Sequence, residues 1–307
     1  MGTGLGALGL FLGGWILFPG LFFAQLHFLS STSRGKRLKK KYDLSEKDCS
    51  DIANKLVSAF QAVLATTTGV IVCSSCYNDV LHCSHPITLI YAWFGLPYFF
   101  YDTISMFYVS TITDLKPKES YWKKFFRFVV KSPVIVGHHI VLAPVGFTLL
   151  VFFRDGVKNG DFFMGTVYLM EASTPFVCLR FILSKFRMKS STWYAVNGLL
   201  MLVLFPVFRI VSLFYAAYLY GQQQLVSTFD ALYEMPFGWK IAFFLAVAPQ
   251  IYWYFLMWRG LFRMITKGRG PADNSKKFDD DNTSMSPAPP PPTTLTTRIN
   301  GAKEFAH

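Results

Sequence analysis

The amino-acid sequence predicts an all-α protein that crosses a membrane several times. Of the 307 residues, 52% are hydrophobic and only 16% are charged, and the mean hydropathy is +0.34. A soluble domain carries roughly 25% charged residues. The charged residues are clustered, and they separate apolar runs that each approach the roughly 20 residues a helix needs to cross hydrocarbon. The alternating ten-residue segments of a membrane β-barrel do not occur in the sequence.

Seven apolar runs predict seven transmembrane helices. The first run has no Lys, Arg, Asp or Glu before Arg34, and it is longer than the apolar core of a signal peptide, so we expect an uncleaved span. Ser45 and Asp48 have the spacing of a capping box, which predicts that the helix leading into the second span begins there. The expected spans are Leu5–Leu29, Leu56–Cys76, Ile87–Ile112, Pro133–Phe153, Phe162–Leu183, Tyr194–Tyr220 and Trp239–Phe262.

The distribution of basic residues predicts the orientation. The loops after spans one, three, five and seven are rich in Lys and Arg, whereas those after spans two, four and six hold zero, two and zero. Because cytosolic loops carry an excess of Lys and Arg, we expect a lumenal N-terminus and a cytosolic C-terminus. The net charge of +12 follows this distribution, and we therefore expect no nucleic-acid partner.

Changes in composition divide the chain into four parts. The basic cluster at 34–41 is expected to stop translocation, and such a cluster also attracts anionic lipid head groups. Beyond residue 266 the chain becomes rich in Asp, Pro and Thr, which is typical of disorder. The predicted parts are a first span (1–33), a basic cytosolic loop (34–50), a six-span domain (51–263) and a disordered cytosolic tail (264–307).

Two adjacent histidines, His138 and His139, lie inside the fourth apolar run. An ionisable residue in hydrocarbon costs free energy unless it has partners, so it marks a candidate functional site. Histidine is also the side chain most easily tuned to act as a base or nucleophile near neutral pH. Because His138 lies seven residues after Lys131, we expect it roughly 10 Å inside the cytosolic edge of the membrane.

Further charged residues lie well inside predicted spans three, five and six: Asp102, Glu171, Arg180 and Arg209. Asp102 and Glu171 are expected at roughly 10–18 Å from the same face as the histidines. A carboxylate near a histidine fixes its tautomer and stabilises the imidazolium, as acyl-transfer sites require. Arg209 lies deeper, where it either pairs with a carboxylate or stabilises an anionic intermediate. The alternative is that these groups only neutralise one another and fix helix packing.

Cysteine and proline positions add two expectations. Cys73, Cys76, His82, Cys83 and His85 have residue types of a metal site, but secretory compartments favour oxidation of exposed thiols. Zinc binding, a disulfide such as Cys76–Cys83, and unpaired thiols all stay open at this point. Prolines in or at the start of spans four to seven predict kinks, which are consistent with a chamber between the helices. These prolines are Pro133, Pro144, Pro175, Pro206 and Pro249.

Three segments resemble the TLC domain shared with ceramide synthases, and the resemblance covers roughly residues 50–262. They are Tyr98-Phe-Phe-Tyr-Asp102, Gly137-His138-His139 and Phe205-Pro-Val-Phe-Arg209-Ile. The resemblance implies a TLC-type bundle of six helices around a membrane chamber in the endoplasmic reticulum, with the Golgi as the alternative. It further implies acyl transfer from acyl-CoA to the amine of a sphingoid base such as sphinganine, without a metal or a bound cofactor.

The same resemblance implies roles for individual residues. His138 or His139 would act as nucleophile or base, with Glu171 or Asp102 orienting it, and the resemblance favours His138 as the reactive one. Arg209 and Arg180 would stabilise charge. A homo- or hetero-oligomer is compatible with this family, and membrane lipids are the other expected partners.

The sequence also departs from the ceramide synthases. Their signature has two aspartates three residues apart after the histidines, and here Glu171 and Thr174 hold those positions. Because Thr174 cannot supply a charge, we expect weaker acyl transfer. The second hypothesis is therefore a non-catalytic regulator of membrane lipid composition or lipid handling. A seven-span receptor is disfavoured, since no Asp-Arg-Tyr follows span three and no Asn-Pro-x-x-Tyr ends span seven.

Overall fold

A computed structural model describes residues 4–112, 118–152, 160–235 and 237–266. In these ranges every regular element is helical, which confirms the predicted all-α class. The α-helices are α1 (Gly4–Ser31), α2 (Ser33–Tyr42), α3 (Glu46–Cys76), α4 (Pro86–Ile112), α5 (Tyr121–Lys131), α6 (Pro133–Gly137), α7 (Ala143–Phe152), α8 (Asp161–Leu169), α9 (Thr174–Lys185), α10 (Thr192–Pro206), α11 (Ser212–Gln224), α12 (Thr228–Glu234) and α13 (Phe237–Thr266). Of the predicted tail at 264–307, residues 264–266 belong to α13, and the remainder lies outside the described residues.

The apolar helices confirm a protein that crosses the membrane several times. Five described helices are long and apolar enough to span, and a sixth is added if α5 and the helix after it count as one bent span. The five are Gly4–Ser31, Glu46–Cys76, Asp161–Lys185, Thr192–Gln224 and Lys240–Arg263. Helix α4 has 27 residues but is not among these five. The predicted total of seven spans and the chamber between them stay predictions.

The helix ends collect at two opposite ends of the bundle. At one end, Lys185 Nζ lies 2.7 Å from Asp48 Oδ1, which joins the end of α9 to the start of α3. At the other end, Cys76 and Cys83 form a disulfide that joins the end of α3 to the loop before α4. Of the alternatives for these cysteines, the disulfide is therefore the one observed, and neither sulfur is a thiolate that could bind zinc. We call the two ends the basic end and the disulfide end.

Small residues allow the helices to approach closely. A side chain at Gly14 of α1 would place its Cβ against the Phe94 carbonyl oxygen of α4, closer than van der Waals contact allows. A Cβ at Gly69 of α3 would lie 2.7 Å from the carbonyl oxygen of Gly165 in α8. Such contacts are typical of membrane helices, whose association depends on close packing rather than on escape from water. These contacts hold α4 against α1, and α8 against α3.

Three segments that the sequence predicted as loops contain helices. The basic segment after the first span forms α2, the basic connection before the fourth span forms α5, and the acidic connection before the last span forms α12. These helices have only 10, 11 and 7 residues, so they are too short for an apolar run to reveal them. The predicted capping box at the start of α3 is confirmed by bonds between Ser45 and Asp48 in both directions.

Candidate active site

Three spans depart from α-helical hydrogen bonding over four or five residues. The departures are a π segment at His138–Leu142, a 3-10 turn at Met170–Ser173 and a π segment at Val207–Val211. Proline lacks an N–H and clashes with the preceding turn, so a nearby proline favours each departure. The nearby prolines are Pro144, Pro175 and Pro206. Such irregular turns are frequent at functional sites.

Each irregular turn contains ionisable residues that the sequence singled out. The histidines lie in the first, Glu171 in the second and Arg209 in the third. Local widening or tightening of a helix changes the direction of its side chains relative to a regular helix. The turns therefore determine where these ionisable groups meet inside the bundle.

The first meeting point is a histidine cluster formed by Asn54, Tyr101, Asp102, His138 and His139. Asp102 is 2% exposed, and its Oδ1 accepts a hydrogen bond of 2.8 Å from Asn54 Nδ2. The Tyr101 hydroxyl donates to Asn54 Oδ1 over 3.0 Å, which orients the amide towards the carboxylate. Asp102 Oδ2 lies 3.2 Å from His139 Nδ1 without hydrogen-bond alignment. Asp102 is thus held on one oxygen and faces His139 with the other.

His138 extends the cluster towards α13. Its ring centre lies 5.6 Å from that of His139 and 5.8 Å from that of Trp253, which it meets edge-on. The Nδ1 atoms of both histidines are buried and have no hydrogen-bond partner among the described residues. A buried polar atom without a partner costs about 1–3 kcal/mol. The two nitrogens without a hydrogen bond thus belong to the side chains that are best suited to proton transfer.

The second meeting point is an arginine cluster formed by Glu171, Ser173, Thr174, Arg209 and Gln250. Arg209 donates from Nε to Ser173 Oγ (2.9 Å) and from Nη1 to Gln250 Oε1 (3.1 Å). Its Nη2 donates to Thr174 Oγ1 (2.6 Å) and lies 3.6 Å from Glu171 Oε2. Thr174 in turn donates to that carboxylate oxygen over 2.6 Å. One guanidinium therefore connects three spans through groups that satisfy one another.

The structure brings together some of the predicted site residues and separates others. Asp102 and His139 meet as expected, whereas Glu171 contacts Arg209 and Thr174 rather than a histidine. Of the alternatives for Arg209, the ion pair with Glu171 is observed. Arg180 belongs to neither cluster: it lies 4.1 Å from the ring centre of Tyr194 and donates to the Tyr194 carbonyl oxygen. Arg180 lies further along α9 than the arginine cluster, and its expected role in stabilising charge stays a prediction.

Several polar partners were missed from the sequence. Asn54 and Ser58 on α3 approach Asp102 from the neighbouring helix, and Ser58 Oγ lies 3.5 Å from Asp102 Oδ1. Ser173 and Gln250 were also missed, although both bind Arg209. A signal existed in the spacing of Asn54, Ser58 and Gln61, which places three polar residues on one face of the helix predicted to lead into the second span.

The histidine cluster is suited to proton transfer. A carboxylate beside an imidazole can stabilise the imidazolium, so the histidine cluster can take up and return a proton. The contact on Nδ1 leaves Nε2 of His139 as the nitrogen for such chemistry. The described residues include no group of three or more His, Cys, Asp or Glu side chains placed to hold a metal ion.

Comparison with known proteins places this site in a known domain. The family model described as TLC domain matches residues 51–259. The matched region contains every residue of the histidine cluster and of the arginine cluster. No solved structure matches the chain.

Proposed function

The chain belongs to the TLC-domain family, which indicates a lipid-related function in a membrane, and from that premise we propose that it makes ceramide. In the proposed reaction a fatty acyl group passes from acyl-CoA to the amine of a sphingoid base such as sphinganine. The observation that carries the proposal is the buried contact between Asp102 and His139 at an irregular turn of a membrane span. A carboxylate beside an imidazole can stabilise the imidazolium that forms in general-base catalysis of acyl transfer.

The proposed step begins with the ammonium group of the sphingoid base. His139 accepts a proton from this nitrogen, and Asp102 stabilises the imidazolium that results. The free amine attacks the thioester carbonyl carbon, the C–N bond forms, and the nitrogen loses a second proton as the amide develops. The C–S bond breaks, and coenzyme A leaves as the thiol with one of these two protons, while the other proton passes from the imidazolium to solvent. No oxidant, metal or bound cofactor enters this balance.

His138 and Arg209 have different roles in this proposal. His138 lies beside His139 and has a buried Nδ1 without a protein partner in the described residues, so it can contact a substrate group directly. Arg209 directs donors at Ser173, Thr174 and Gln250, which supports a positioning role rather than contact with the reacting atoms. The preference for His138 as the base, which rested on resemblance, gives way to His139 because of its contact with Asp102.

The two ends of the bundle support an orientation for the reaction. Disulfides persist in oxidising compartments, so Cys76–Cys83 favours a lumenal disulfide end. The Lys- and Arg-rich segments favour a cytosolic basic end. We therefore place the N-terminus in the lumen of the endoplasmic reticulum and the C-terminus in the cytosol, with the Golgi as alternative. Acyl-CoA would approach from the basic end, with its phosphates near the basic segments.

A non-catalytic regulator of membrane lipids is the second candidate, and Thr174 favours it. Thr174 stands where ceramide synthases have an aspartate, and here its hydroxyl connects Arg209 to Glu171. The arginine cluster can then act purely as a structural connection between spans. A lipid-binding protein without activity would need no more than that.

An assay of the purified protein with sphinganine and acyl-CoA of several chain lengths separates the two candidates. We expect ceramide from the wild type and its loss in His139→Ala, with a smaller loss in His138→Ala. His82→Ala is the matched control, because His82 also lies beside an aspartate but on an exposed loop. Absence of ceramide above a mock preparation at every chain length would overturn the enzyme proposal in favour of the regulator.

A further inference from the structure

Helix α5 runs at a large angle to the span that follows it. The axes of Tyr121–Lys131 and Pro133–Thr148 differ by 101°. Eleven residues of helix extend over about 16 Å, which is too short to cross the hydrocarbon. If the following helix crosses the membrane, α5 must lie along the membrane surface. It ends only seven residues before His138.

The apolar residues of α5 divide into a packed half and an uncovered half. Phe125 and Phe128 pack against Phe107 of α4, with ring centres 5.4 and 5.7 Å away. Trp122, Phe126 and Val130 repeat every four residues, and so share one face of the helix. That face is uncovered, because these three residues are 81%, 70% and 62% exposed. This continuous apolar stripe is adjacent to the face that holds α5 on the bundle.

The remaining face of α5 is basic. Residues 118–131 contain five Lys or Arg and one acidic residue, Glu119, which forms an ion pair of 2.7 Å with Arg127. Around the helix axis, the basic positions lie on one side, next to the stripe of Trp122, Phe126 and Val130. The basic residues on the helix are Lys123, Lys124, Arg127 and Lys131, and Lys118 precedes it. A helix with aromatic residues on one face and Lys or Arg on the other is typical of the membrane interface.

Helix α2 provides a contrast within the same protein. It is also basic, but its apolar residues Leu38 and Tyr42 pack against a buried cluster, and the Tyr42 ring stacks on Phe186 at 4.7 Å. Its Lys39 forms an ion pair with Glu46 of α3. Basic charge alone therefore does not distinguish α5, whereas an uncovered apolar stripe beside basic charge does.

We propose that α5 is an interfacial anchor that binds the anionic head groups of bilayer lipids. Trp122, Phe126 and Val130 insert at the boundary between head groups and acyl chains, and the basic face contacts phosphate and carboxylate groups above it. Electrostatic attraction favours anionic lipid by about 1 kcal/mol for each Lys or Arg near the surface, or about fivefold per residue. Two basic residues facing the head groups would therefore contribute about 30-fold if both act fully.

Hydrogen exchange of the full-length protein in lipid nanodiscs tests this proposal without acyl-CoA. The nanodiscs contain phosphatidylcholine alone or with phosphatidylserine, and exchange is compared for peptides that cover α5 and α12. Helix α12 is the matched control, because it is also short and exposes Phe229 and Tyr233 but carries Asp230 and Glu234. We expect phosphatidylserine to slow exchange in α5 by fivefold or more, and to leave α12 unchanged.

Two variants separate the charge from the apolar stripe. Lys123→Gln with Lys124→Gln should remove the effect of phosphatidylserine while exchange in phosphatidylcholine stays at the wild-type rate. Trp122→Ser with Phe126→Ser should speed exchange in both lipids. An unchanged melting temperature in detergent checks that each variant folds. Equal exchange of α5 with and without phosphatidylserine in the wild type would overturn lipid binding, whatever the outcome of the acyl-transfer assay.

Discussion

The histidine cluster and the arginine cluster are both buried, ionisable and located at irregular turns, yet they satisfy their polar groups differently. Arg209 uses three of its nitrogens as donors to side chains of two other spans, and its charge lies beside Glu171. The histidine cluster instead retains two buried imidazole nitrogens without a hydrogen bond among the described residues, and one of them faces Asp102. A satisfied cluster favours structure, while an incompletely satisfied one is suited to binding and chemistry.

The largest effect is expected from Asp102→Asn on the rate of acyl transfer. The substitution removes the charge beside His139, but an amide oxygen can still accept the bond from Asn54. We expect the rate to fall by about 10²–10⁴-fold while the melting temperature changes little. Initial rates and thermal melting of the purified variant provide the two measurements.

A surface pair provides the control for that substitution. Asp79 Oδ1 lies 3.0 Å from His82 Nδ1 at the disulfide end, and both side chains are about half exposed. Asp79→Asn should leave the rate unchanged. If Asp79→Asn and Asp102→Asn slowed the reaction equally, the special role of the buried pair would be lost.

The next largest effect is expected from Arg209→Leu on stability. Removing one partner of a buried ion pair leaves the other charge uncompensated, which costs about 3–5 kcal/mol of unfolding free energy. Thermal melting in detergent should show a much lower melting temperature than that of the wild type. Arg259→Leu, on an exposed position of α13, is the control and should melt as the wild type does. An unaltered melting temperature for Arg209→Leu would contradict the structural role of this cluster.

A smaller effect is expected from Thr174→Val. This substitution keeps the shape of the side chain but removes the hydroxyl that connects Arg209 to Glu171. We expect a loss of about 1–3 kcal/mol in unfolding free energy, because the two partners lose a hydrogen bond inside the bundle. Thr174→Ser restores the hydroxyl and should recover most of that stability. Destabilisation by Ser as large as that by Val would contradict this account, because the hydroxyl would then not be enough to restore the stability.

The positions of the apolar helices were predictable because hydrophobic length is set by the membrane. The first predicted span, Leu5–Leu29, differs from α1 by only one residue at the start and two at the end. The meeting of Asp102 with His139 was predictable too, since depth along each span follows from helix rise. The capping box at Ser45 was a local pattern that required no knowledge of the rest of the fold.

Other features could not be read from the sequence, for physical reasons. Hydropathy does not register how a backbone departs from an α-helix, so the prolines indicated kinks but not which turns would become π or 3-10 segments. Pairing between spans was also hidden, because depth alone allowed Glu171 to face a histidine or Arg209. Helix α5 was missed because its charges interrupt the apolar run, although its aromatic residues at helical spacing were a usable signal.

The most direct test compares the two clusters by specific activity per folded molecule. The purified variants His139→Gln and Arg209→Lys are assayed with sphinganine and acyl-CoA, and each rate is divided by the folded fraction from thermal melting. If the histidine cluster is the reactive site, His139→Gln will be folded but inactive. Arg209→Lys will instead have fewer folded molecules, and each of these will retain the wild-type rate. Activity retained in His139→Gln, or lost from fully folded Arg209→Lys, would contradict that division.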